Sequence, residues 1–212
     1  MPTLSDVLAK LSFLMTTPAV VGLVITAGLI VVIRDWRFSL AALSLQYVLV
    51  GLLLTRLIQP QVAVIKVLIG ALVCVILYLT ARLVDSGREG ESPGRELSLA
   101  NLAFRLLAAI LVGLAAYGLS RRYPLPEVPS DIGLACYWLA SQGLLALMLT
   151  EEPLKAGLGL LTLVTGFELL YSVLERSLSV AGFLGIANFL IALAIAYLAA
   201  SRAELTPQER QR

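Results

Sequence analysis

Charged residues punctuate an otherwise apolar chain, and the gaps between them set the elements. Leu11–Ile33 carries no charge over 23 residues, Phe38–Thr55 none over 18, Ile132–Thr150 none over 19 and Ser177–Ser201 none over 25. About 18–20 apolar residues, at 1.5 Å of rise each, cross roughly 30 Å of hydrocarbon, so each gap predicts a membrane-spanning helix. Three further apolar stretches have an internal charge: Lys66 in about 61–83, Arg105 in about 99–120 and Glu168 in about 156–174. The expected fold is all-α, a polytopic transmembrane bundle forming one domain over residues 1–212. Its seven or so helices fall at about 11–33, 38–55, 61–83, 99–120, 132–150, 156–174 and 181–201.

Short polar turns at Arg34–Arg37, Arg56–Pro60 and Glu151–Pro153 suit antiparallel neighbours in a bundle. Longer loops are expected at 85–98 and 121–131. The first span is too long for a signal-peptide core and has no A-x-A site before Arg34, which predicts that it is retained. Trp36, Tyr123, Tyr137 and Trp138 lie near span ends and are candidate interfacial anchors. Lys10, Arg56, Arg121, Arg122 and Arg176 mark one face of the membrane. Arg34, Arg37, Arg82, Arg88, Arg95, Lys155, Arg202, Arg210 and Arg212 mark the other. The positive-inside rule puts the larger set in the cytoplasm, with the N-terminus outside and the C-terminus inside. A faint repeat at an offset of 120 residues aligns Arg56 with Arg176 and Arg82 with Arg202, as a parallel three-helix repeat would.

Composition confirms lipid as the solvent. Hydrophobic residues make up 59% and charged residues 14% of the 212-residue chain, against about 25% charged in soluble domains. Charges this scarce cannot cover a water-facing surface. The chain has no histidine, which excludes imidazole metal sites and serine–histidine catalysis. Cys74 and Cys136 lie inside apolar runs without CxxC spacing, so no metal or cluster is expected and both read as buried hydrophobes. No cofactor motif is visible. Nucleic acid is excluded as a partner, because a net charge of +2 with scattered arginines forms no basic stripe.

Function is therefore sought among the charges inside the spans. Arg105 lies about two turns from a cytoplasmic end and is long enough to snorkel. Glu168 is short and sits about 18 Å from one end of its helix and about 9 Å from the other, so it needs a partner. Lys66 and Asn188 fall at a similar depth on two other helices. A carboxylate, an ammonium and an amide at one level are the ingredients of a proton relay. Gln46 and Gln142 lie nearer mid-membrane and extend the candidate polar path.

The segment EEPLKAGLGLLTLVTGFELLYSVLERS, followed by an apolar helix ending at Arg202, resembles the three-helix K subunit of respiratory complex I. The whole chain is similar to hydrogenase-4 component E, through RDWRFS after the first helix and VIKVLIGALVCVILYLTAR in the third. The resemblance implies a non-catalytic subunit in the membrane arm of an ion-translocating redox complex, beside antiporter-like subunits, in a prokaryotic inner membrane. By the same resemblance Glu168 is the relay carboxylate and Lys66 the family's lysine on the third helix. The chain departs from the pattern on its last helix, where no acid lies between Glu175 and Glu204 and Asn188 stands at a related level. Two other readings stay open: a small independent transporter built around Glu168 and Lys66, and a purely structural assembly subunit.

Overall fold

In a computed structural model of the chain, residues 4–33, 35–57, 60–86, 99–125, 128–174 and 178–209 are described. They form seven α-helices: α1 (Leu4–Val32), α2 (Trp36–Leu57), α3 (Pro60–Ser86), α4 (Leu99–Arg122), α5 (Ser130–Met148), α6 (Pro153–Leu174) and α7 (Leu178–Glu209). Among the described residues there is no strand, and the seven helices overlap the seven predicted spans. Six of them, α2 to α7, are long and apolar enough to cross a membrane. In α1 the described apolar stretch is the shorter Pro18–Val32. The chain is an integral membrane protein by this pattern.

Several helices run past the predicted span ends, because the backbone keeps its hydrogen-bond ladder beyond the hydrocarbon. Pro60 and Pro153 open α3 and α6, at a position where a missing N–H costs nothing. Asp35 caps α2, its side chain accepting from the Arg37 N–H at 2.9 Å. Residues 87–98 of the expected long loop lie outside the described residues, as do Arg34, Arg88, Arg95, Arg176, Arg210 and Arg212 from the orientation count.

Successive helices alternate in direction. At one end of the bundle Arg37, at the start of α2, pairs with Asp85 near the end of α3 at 3.6 Å. There too Arg202 of α7 donates to the Glu151 carbonyl in the α5–α6 turn at 2.7 Å. Helices α2 and α3 pack on each other, as do α6 and α7; α2 also packs on α6, and α3 on α7. The helix pairs equated by the 120-residue offset thus lie side by side.

Helices α5 and α6 form the most intimate pair, through glycines on both. A Cβ on Gly166 would stand 2.9 Å from the Ala140 nitrogen, and one on Gly143 would stand 2.8 Å from the Gly159 oxygen. Such small-residue contacts let backbones approach where lipid gives helices no hydrophobic reason to associate. Trp138 lies against Gly113 of α4, where a Cβ would strike the indole, so this candidate interfacial anchor is a helix–helix packing residue. Trp36, at the start of α2, and Tyr137, whose hydroxyl donates to the Tyr123 carbonyl at 3.1 Å, do lie at bundle ends.

Arg105 is 9% exposed and reaches two helix ends instead of the surface. It donates to the Val31 carbonyl at 3.2 Å and to the Leu149 carbonyl at 2.8 Å, near the C-termini of α1 and α5. Terminal carbonyls have no partner within their own helix, so one guanidinium satisfies orphans on both. Arg105→Leu is expected to lower stability by about 2–4 kcal/mol, from two carbonyls left unsatisfied. Arg105→Lys, which lacks the planar fork, should fall between the two. Thermal unfolding in detergent micelles measures both, and a leucine variant as stable as the native chain would exclude the clamp.

Candidate functional site

The buried apolar side chains form two clusters. One includes Val31, Leu43, Leu77 and Leu158; the other includes Leu23, Leu53, Leu139 and Leu169. Buried polar residues fall between them along the helices: Lys66 on α3, Gln142 on α5, and Thr162, Thr165 and Glu168 on α6. On α7, Asn188 lies one turn from Ala192 of the first cluster.

Three of these groups meet. Lys66 is paired through Nζ with Glu168 Oε2, and Asn188 Nδ2 donates to Glu168 Oε1 at 2.9 Å. Lys66 is 8% exposed, Glu168 2% and Asn188 not at all. Each comes from a different helix, brought in because α7 packs on both α3 and α6 and α2 packs on both as well. Close approach is again set by glycines: Gly185 of α7 receives Ile69 of α3, and Gly157 of α6 receives Ile195 of α7. The two carboxylate oxygens are divided between a cation and an amide donor, which is how a buried carboxylate offsets part of its desolvation. Asn188 Oδ1 faces no donor.

The other two candidates are placed differently. Gln142 is 1% exposed and donates through Nε2 to the Ala109 carbonyl of α4 at 2.8 Å, which ties α5 to α4. Gln46 is fully buried on α2, and neither atom of its amide has a partner. Next to it, Tyr47 is a residue that the charge pattern did not single out. It is 2% exposed, and its ring centroid lies 6.0 Å from Lys66 Nζ. Its hydroxyl end lies by Thr165, one turn before Glu168. An aromatic in an apolar run reads as core; the available signal was its neighbour Gln46.

Cys74 and Cys136 are buried free thiols, as expected. Among the described residues no group of three or more histidine, cysteine or acidic side chains is placed to hold a metal. Chemically, the site is a buried acid–base pair with an amide donor, inside a helix bundle whose outer faces are apolar. Comparison with protein-family models, curated proteins and solved structures finds no match to this chain.

Proposed function

We propose that this chain is a membrane-arm subunit of an ion-translocating redox complex of the complex I and group 4 hydrogenase kind, and that Glu168 and Lys66 carry a proton step. The observation that supports this reading most is the Lys66–Glu168–Asn188 cluster, closed off from water between three helices. A buried pair of this kind is a natural relay element. A proton delivered to Glu168 abolishes its attraction for Lys66, so the ammonium must move or lose its own proton. Protonation is thereby coupled to charge movement on a neighbouring helix. Asn188, which donates to Glu168 and keeps an unpartnered amide oxygen, supplies a polar position beside the pair.

In this reading the partners are antiporter-like membrane subunits. The arginine-rich end, with Arg37, Arg82 and Arg202, faces the cytoplasm of a prokaryotic cell. The engagement of both carboxylate oxygens also fits a second reading, in which the pair is a polar lock between helices and the subunit is structural.

One experiment separates these readings. Affinity purification from native membranes should bring down larger antiporter-like subunits. In the assembled complex, Lys66→Met combined with Glu168→Gln should leave assembly intact and reduce ion pumping by roughly a hundredfold, the lower end of what a positioned proton donor contributes. Unchanged pumping by a normally assembled double variant rejects the relay and leaves the lock.

A further inference from the structure

Helices α2, α3, α6 and α7 each present one residue to the level of the ion pair, and the contribution of α2 is a tyrosine ring. The local sequence explains its position. Gly70 lies one turn after Lys66 on α3, so the two share a helix face. A Cβ at Gly70 would stand 2.8 Å from both Cβ and Cδ1 of Tyr47, and only glycine leaves space for the ring. Docked in that notch, the ring has its centroid 6.0 Å from Lys66 Nζ. The Tyr47 hydroxyl end lies by Thr165 of α6.

We propose that Tyr47 is a positioning residue for Lys66: the face of its ring holds the ammonium by a cation–π contact and keeps it on the inner side of α3, against Glu168. A lysine side chain is long and flexible, and α3 has lipid-facing positions on both sides of Lys66, with Ile65 and Leu68 exposed. Without a second attractive surface, the ammonium can leave the carboxylate for the nearer end of the helix. A negative ring face within about 6 Å supplies that surface without adding a charge. The groups facing the ammonium are then Glu168 from α6 and the Tyr47 ring from α2, and Asn188 of α7 acts through Glu168. This deepens the relay reading of the same site, but its test reads Lys66 directly and does not depend on pumping.

The experiment is nuclear magnetic resonance on the full chain in lipid nanodiscs with isotope-labelled lysine. Lys10 and Lys155 are the other lysines, so Lys66→Met assigns the Lys66 signal. Protons over a ring face are shielded, and the Lys66 ε-methylene should be displaced upfield. Tyr47→Phe should preserve that displacement. Tyr47→trifluorophenylalanine keeps the ring and nearly its volume but drains the negative face, and should reduce the ring-bound population roughly tenfold. Equal displacement in the phenylalanine and fluorinated variants would show that packing alone places the lysine and would overturn the proposal, as would a native Lys66 signal with no displacement. Because both variants keep an aromatic ring seated against Gly70, loss of the fold does not confound the comparison.

Discussion

Glu168→Gln alone is expected to destabilise the protein by about 3–5 kcal/mol, the cost of breaking one side of a buried ion pair. Glutamine keeps a carbonyl that can accept the hydrogen bond from Asn188 Nδ2, so the loss comes from Lys66, left as an ammonium in an apolar interior. Lys66→Met removes that charge. In the Glu168→Gln background it should therefore restore most of the stability, giving a coupling of at least about 3 kcal/mol in a double-mutant cycle. Reversible denaturation in mixed micelles provides the measurement. Additive single effects would mean that the two side chains do not share one electrostatic environment. The cycle also bears on transport: a pumping defect in Glu168→Gln alone can reflect a damaged bundle, whereas a defect in the double variant cannot be assigned to an unpaired charge.

A comparable effect is expected where no charge is involved. At Gly143 and Gly166 an added Cβ meets the backbone of the facing helix and not the end of a flexible side chain. At Gly143 it would stand 2.8 Å from both the Gly159 oxygen and the Leu163 Cα; at Gly166 it would stand 3.1 Å from the Cys136 oxygen. Neither helix can yield by a rotamer change, so α5 and α6 must separate. Gly143→Ala and Gly166→Ala should each cost about 1–3 kcal/mol, and leucine at either position more. Gly118 of α4, with nothing within 4 Å of an added Cβ, serves as the control, and Gly118→Ala should be neutral or slightly stabilising. Thermal unfolding of the three alanine variants tests this, and indistinguishable curves would refute close backbone packing. Gly166 lies two residues before Glu168, so its variant should also disturb the cluster.

The seven helices were legible because charge is too costly to place within hydrocarbon without a reason, which makes the intervals between charges a direct measure of span length. Helix ends were less legible: Arg121 and Asp85 belong to helices that continue into the polar boundary, where hydropathy no longer speaks for or against a helix. At the site, shared depth was enough to associate Lys66, Glu168 and Asn188, since depth is counted along the chain. Azimuth is not counted so easily. Gln142 and Arg105 turn toward backbone carbonyls of Ala109, Val31 and Leu149, and a carbonyl has no residue identity to read. Tyr47 was hidden for a related reason: its importance depends on the notch at Gly70 on another helix, which takes meaning only once α2 and α3 are docked.

The division of the ion pair between α3 and α6 has a consequence for biosynthesis. Lys66 is translated 102 residues before Glu168. At about 5–20 residues per second, the lysine is made some 5–20 s ahead of its counter-ion. During that interval α3 carries a cation with an insertion cost of up to about 3 kcal/mol near mid-bilayer. The rest of α3, among the most hydropathic spans of the chain, makes its own insertion favourable, and the Tyr47 ring on the preceding helix is already present. Arrival of α6 then completes the charge balance, so the membrane-embedded lysine gives the nascent chain a reason to retain α6 at the position where α2 and α3 are waiting.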